Sequence, residues 1–341
     1  MRRWTTLLLT IAAVTLVAAP AWACGGLVAP NGTVNLLRTT TLAGYHDGVE
    51  HYVTSFEYAG GGGEFGSIVP LPGIPTDVVR GGDWTLQRLV REVQPPFVAL
   101  QAASSDFSRS SAGAEVIFET RIDALDITIL KGGAADVGAW ALDHGFALPP
   151  DAPEVLEFYA SRSPIFMAAR FDAAEAERLD QRIGDGTPIH LTIPTEEPWV
   201  PLRILALGRK ASETVQADVF LLTDARPVLL PRPGDTMTLD RSEPASQSLI
   251  DDLRSDKGMG WIPESGMWLS YLKIDARAGA LDHDLAISPT GLGRPSKVAA
   301  GLALPGDVEE AARRNPLWAW LVAAGLVVAV VGLGNRALSG T

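Results

Sequence analysis

"VEHYVTSFEY", residues 49–58, decides how this chain is read. Side chains of a strand alternate between faces. Glu50, Tyr52, Thr54, Phe56 and Tyr58 therefore share one face, and Val49, His51, Val53, Ser55 and Glu57 share the other. β-Branched and aromatic residues fit a pleated surface and support the strand. Asp47-Gly48, just before it, marks a tight turn.

Working towards the C-terminus, Gly60 to Gly63 come directly after the strand, followed by "SIVPLPGIP" at residues 67–75. Glycine tolerates positive φ and proline fixes φ near -65°, so this composition describes a turn into a stiff extended segment. Pro70, Pro72 and Pro75 cannot donate to a ladder, which places the segment at a sheet edge or outside one. The glycine run is not a phosphate loop, because no Gly-Lys-Ser/Thr follows it. It is not a dinucleotide fingerprint either, because prolines rather than a helix come next.

"WTLQRLVREV", residues 84–93, spaces Leu86, Leu89, Val90 and Val93 for one helix face, and Pro95-Pro96 ends it. "AEVIFETRIDALDITIL", residues 114–130, predicts two strands, with Leu125, Ile127 and Ile129 on one face. Residues 132–160 predict a helix, a turn at Gly145 and a second helix from Ala152 to Ala160; "PIFMAARF", residues 164–171, is a strand. Asp172 is the N-cap of a helix that Gly184 stops. Strands then dominate: "PIHLTIPT" (188–195), "LRILALG" (202–208), "VQADVFLLT" (215–223), "PVLLP" (227–231) and "MWLSYLKID" (267–275). Without regular strand–helix alternation the expected class is α+β, a mainly antiparallel sheet domain with several inserted helices.

Both ends carry targeting signals. Residues 1–23, "MRRWTTLLLTIAAVTLVAAPAWA", join a basic start, an apolar run and a small-x-small end, the three parts of a secretory signal peptide cleaved between Ala23 and Cys24. Residues 316–334 read as a transmembrane helix. Leu317 to Gly334 carry no charge, and at 1.5 Å per residue they span about 27 Å, close to a hydrocarbon core. Trp318 and Trp320 suit the membrane interface. Arg313 and Arg314 run against the positive-inside rule, and the signal peptide decides the orientation. The expected organisation is an extracytoplasmic domain at 24–288, in one or two parts, a linker at 289–315, the span at 316–334 and a cytoplasmic tail at 335–341. The localisation is a single-pass protein of the cell membrane, held in the bilayer through residues 316–334.

The formal charge of -12 over 341 residues argues against nucleic-acid partners and leaves a protein of the envelope as the expected partner class. Cys24 is the only cysteine, which excludes an intramolecular disulfide. A free thiol, a lipid anchor and an intermolecular disulfide remain open for it.

"ACGG" at 23–26, "YAGGGGEFGSIVPLPGIP" at 58–75, and "LDITILKGGAADVGAWALDHGFALPPDAPEVLEFYA" at 125–160 with "FMAARF" and "PWVPLRILALG" downstream resemble a bacterial family, domain of unknown function 2330. The likeness covers most of residues 23–275. Ser67 stands where that pattern suggests an aromatic residue. The resemblance implies an exported, often membrane-tethered protein and carries no activity with it.

Candidate chemistry is sparse. His46, Asp47 and His51 form one weak metal-site candidate, and Asp282, His283 and Asp284, on an expected strand, form another. His144 at a helix end suits the C-terminal dipole. No nucleophile elbow, zinc-helix motif or cysteine pair occurs, so no catalytic residue and no cofactor are nominated. Glu196-Glu197 and Asp251-Asp252 are adjacent carboxylates that diverge on a strand and make no glycosidase pair. The expectation is a non-enzymatic interaction or envelope-structural module. The alternatives are a hydrolase-like envelope enzyme with scattered residues and an accessory subunit of a membrane complex.

Overall fold

The computed structural model describes residues 27–28, 35–59, 65–93, 114–179 and 187–307. In chain order, β1 (Leu27–Val28), β2 (Asn35–His46), β3 (Val49–Ala59), β4 (Phe65–Pro70) and β5 (Asp77–Arg80) precede α1 (Thr85–Val93). Then come β6 (Glu115–Ile122), β7 (Leu125–Lys131), α2 (Ala134–Asp143), α3 (Ala152–Ala160), β8 (Ile165–Phe171) and α4 (Ala173–Arg178). β9 (Ile189–Pro194), β10 (Trp199–Val200), β11 (Thr214–Thr223), β12 (Val228–Leu230) and β13 (Met237–Pro244) follow. The last elements are α5 (Gln247–Ser255), β14 (Trp268–Arg277) and β15 (Leu285–Ser288).

The body is α+β, with mostly antiparallel sheets. The largest has the order β13-β14-β11-β2-β3-β9-β5, and only β11 and β2 run parallel in it. A second has the order β1-β4-β8-β7-β6, and a small third β10-β15-β12. The Asp47-Gly48 turn closes the β2–β3 hairpin with φ of 50° and 81°, the left-handed values that Asp and Gly accept there.

The large sheet is covered on both faces. One apolar core joins it to β4, β7 and β8 through Tyr52, Leu191, Leu221, Ile68, Ile129 and Phe166. The opposite face packs Leu42, Val53, Phe220 and Leu222 beneath α1 and α5. β3 lies well inside this layered sheet, so Glu50 to Thr54 are buried on both sides.

Two features differ from the sequence reading. "LRILALG" is not a strand: Arg203–Ala206 form a 3-10 turn. The backbone N–H groups of Leu202 and Arg203 both donate to Asp284 Oδ1, and that of Ile204 donates to the Tyr159 hydroxyl. Three successive amides turned to one point cannot alternate across a ladder. Asp282 to Asp284 are not a strand either, and β15 begins at Leu285. The proline segment fits its composition, because among the described residues β4 is covered outside only by the two-residue β1, through Leu27↔Ser67 and Val28↔Gly66.

Within the stretch read as a linker, Ala299 and Ala300 are buried, and Asp284 N–H donates to Ala300 O. The packed body therefore continues to at least Ala300. Among the described residues no helix is long and apolar enough to cross a membrane. Residues 316–334, Trp318 and Trp320 among them, and the Ala23–Cys24 junction lie outside the described residues.

Candidate functional site

The polar residues of β3 feed both faces of the large sheet. On the α1–α5 face, His51 Nδ1 lies 3.0 Å from His190 Nε2, so one ring donates to the other. The β3–β9 register sets this up by pairing His51 with Thr192 and Val53 with His190, which places the two histidines diagonally on one face. Trp261 stacks on His51 at 4.1 Å with the rings 3° from parallel. Gly44 is directly opposite His51 in β2, and a Cβ there would sit 2.1 Å from Trp261 Cη2. The glycine is the notch that admits the indole.

Burial, with His190 and His46 nearby, pushes His51 down to about 3. Burial pushes His190 down to about 4, against the pull of Asp77. Both rings are neutral at physiological pH. His190 Nδ1 and Trp261 Nε1 are buried without a hydrogen-bond partner.

On the opposite face Glu50 is fully buried, and neither carboxylate oxygen has a partner. Burial pushes it up to about 8, and the nearby Trp199 backbone acts in the opposite direction. At neutral pH Glu50 carries its proton.

A third buried group ties the small sheet to the body. Arg162 Nη2 meets Asp284 Oδ2 at 2.7 Å, with the two side chains 3% and 0% exposed. Tyr159 donates to Asp284 Oδ1 at 2.9 Å. Arg162 Nη1 donates to the carbonyls of Val298 and Ala299. Its guanidinium lies 4.0 Å above the Phe158 ring and 5.3 Å from Trp199. Every group here is satisfied internally, which is the arrangement of a clamp.

The structure leaves His51 apart from the other two residues of the first nominated metal set. His46 Nε2 lies 3.4 Å from Asp47 Oδ2 and its Nδ1 meets Asp224 Oδ1 at 2.7 Å at the exposed hairpin turn, while His51 is under Trp261. His283 pairs with its neighbour Asp282 at 2.7 Å, while Asp284 is committed to Arg162. Among the described residues no three His, Cys, Asp or Glu side chains converge to hold a metal ion. His144 lies at the end of α2 with Nδ1 2.6 Å from Trp140 O.

Two open hollows mark the surface. One, of about 540 Å³, is walled by Arg226, Val228, Leu229 and Arg232 on one side and by Leu239, Ser242 and Ser270 on the other. The other, of about 270 Å³, is bounded by Tyr45, Glu196, Glu197, Thr290 and Arg294. Sequence reasoning missed both the buried histidine pair and the large hollow. The residues concerned lie far apart in the chain, and only the β9 alternation that inverts His190 against Leu191 hinted at the pair.

The model of a family described as an uncharacterised protein conserved in bacteria, domain of unknown function 2330, matches residues 18–228. No curated protein matches the chain. Among solved structures, baculovirus P35 is 8% identical with a TM-score of 0.42, covering 75% of this chain and 97% of that one. A mutated baculovirus P35 after caspase cleavage is 7% identical with a TM-score of 0.32, covering 75% and 96%. P35 in its complex with caspase-8 is 8% identical with a TM-score of 0.31, covering 78% and 96%. Likeness at this level carries no argument about this chain.

Proposed function

The chain belongs to this uncharacterised bacterial family, and from its geometry we propose that it is a non-catalytic interaction module, displayed outside the cytoplasmic membrane and tethered through residues 316–334. The observation that carries the binding role is a separation in space. Glu50, His51 and His190, each shifted towards its neutral form, are in the interior. The 540 Å³ hollow is instead lined by arginine, serine, proline and aliphatic side chains. Such a surface recognises and holds, whereas acid–base chemistry needs its titrating group within reach of substrate. The basic, apolar and small-x-small parts of residues 1–23 and the uncharged stretch from Leu317 to Gly334 support the location.

The test is a crosslinking pull-down of the full chain from intact membranes, with protease digestion of spheroplasts in parallel. Cleavage of the body from outside and a reproducible crosslinked partner are expected. A chain recovered in the soluble fraction, or one that crosslinks to nothing, overturns the reading.

A further inference from the structure

We propose that the hollow of about 540 Å³ binds a small organic acid, a carboxylate carried on an apolar body. This rests on the reading above that the hollow recognises rather than reacts, and it names the ligand chemistry.

The hollow spans the seam between the small sheet and the edge of the large one. Val228 and Leu229 come from β12, Leu239 and Ser242 from β13, and Ser270 from β14. Its lining has a hydrogen to give. Ser242 and Ser270 stand opposite each other in the β13–β14 register with their Oγ atoms 3.3 Å apart, and Trp268 Nε1 donates to Ser242 Oγ at 2.9 Å. Each serine brings one hydroxyl hydrogen, and the bond between them uses only one of the two. If Ser242 donates, the Ser270 hydrogen is left over; if Ser270 donates, that of Ser242 is left over. Neither serine has a further acceptor among the described residues. In both arrangements one hydroxyl of the lining remains a donor, so a ligand that fits there must accept.

The mouth has the same preference. Arg226 and Arg232 line it, both are exposed, and neither is in an ion pair among the described residues. Arg80, Arg88, Arg162 and Arg203, by contrast, each bind a carboxylate. Asp and Glu outnumber Lys and Arg by 40 to 28 in the chain, yet among the described residues none of them lines the hollow. Two guanidinium groups and a hydroxyl donor with no carboxylate to compete select an anion, and the planar fork of arginine matches a carboxylate.

The rest of the wall sets the body of the ligand. Pro227, Val228, Leu229, Pro233 and Leu239 are apolar, and a bare inorganic anion would leave them in water. The volume is that of a small-molecule site. Gly291 holds the mouth in shape: its φ is 70°, and a Cβ there would lie 2.7 Å from Arg226 O, so glycine lets that loop close on the Arg226 backbone.

The probe is phenylbutyrate, titrated by calorimetry into the full chain in lipid nanodiscs, with empty nanodiscs as the blank. Phenylbutylamine keeps the body and reverses the charge, acetate keeps the charge without the body, and a tripeptide of apolar residues offers a carboxylate at a chain end. Phenylbutyrate binds, and the amine and acetate bind at least about tenfold more weakly. Arg226→Gln with Arg232→Gln weakens phenylbutyrate at least about tenfold, as does Val228→Glu, which brings a like charge to the wall. These variants keep the wild-type melting temperature, because both arginines are exposed and Val228 is 38% exposed. The proposal is overturned if phenylbutyrate does not bind, if the amine or acetate binds as tightly, or if the variants bind it like the wild type. Tighter binding of the tripeptide also overturns it, by giving the hollow to the chain end of a partner. The crosslinking pull-down is read separately: loss of every crosslinked partner sinks the interaction reading, whereas absent phenylbutyrate binding with the partners intact sinks only this proposal.

Discussion

Replacing Glu50 by Gln keeps the shape of a buried side chain and removes its titration. Glu50 is fully buried with no hydrogen-bond partner on either oxygen, and its proton is retained up to about pH 8, against 4.5 for the unfolded residue. Its contribution to stability is whole below 4.5 and is lost as pH rises towards 8, because there the unfolded chain releases a proton that the folded chain keeps. His51 and His190 act in the other direction. Their folded values of about 3 and about 4 lie below the ordinary 6.5, so their contribution is whole above 6.5 and is lost as pH falls. These three groups together place maximum stability near pH 6.5, and only Glu50 among them acts on the alkaline side. One proton changes stability by about 1.4 kcal/mol per pH unit, so the alkaline limb should fall by about 2 kcal/mol between pH 6.5 and 8. The assay is denaturant unfolding of the full chain in detergent, followed by tryptophan fluorescence at constant m-value. The wild-type limb should fall and that of Glu50→Gln should be about 2 kcal/mol flatter. Parallel limbs in the two proteins would refute the reasoning, because Glu50 would then be ionised or paired in the folded state.

Three further perturbations test the packing. Arg162→Ala leaves Asp284 buried without its cation and should cost about 3–5 kcal/mol in the same unfolding measurement, whereas a cost under about 1 kcal/mol would mean the clamp carries no load. Asp256 accepts from the backbone N–H groups of Asp83 and Trp84 and from Thr85 Oγ1 at the start of α1, so Asp256→Ala should cost about 1–2 kcal/mol and raise amide exchange in α1 first; uniform exchange across the sheet would contradict a cap. Gly44→Ala drives a methyl against Trp261 and should cost about 1–3 kcal/mol with a shifted tryptophan emission, and an unchanged spectrum would show that the indole does not occupy the notch.

The sheet architecture is legible wherever local chemistry and burial agree. Alternation marks β3 and β9, and helical spacing marks α1. Asp172 is an N-cap in fact, accepting from Ala174 and Glu175 at the start of α4. The failure at "LRILALG" has a definite cause. Its apolar pattern describes burial, and Ile204, Leu205 and Leu207 are buried. What sets its backbone is a carboxylate some eighty residues away that collects its amides, and no window of sequence contains both.

The same cause governs the candidate site. In "DHD" the sequence shows three adjacent polar side chains and suggests one ligand set. The fold assigns them to different tasks, with Asp282 holding His283 and Asp284 buried beneath Arg162. In "VEHYV" alternation correctly places Glu50 and His51 on opposite faces, and one of those faces would ordinarily meet water. Here both are covered, by a second sheet on one side and by α1 and α5 on the other. Burial of a strand on both faces is a property of its neighbours, which is why a polar residue on β3 reads as surface in sequence and becomes a neutralised interior group in the fold.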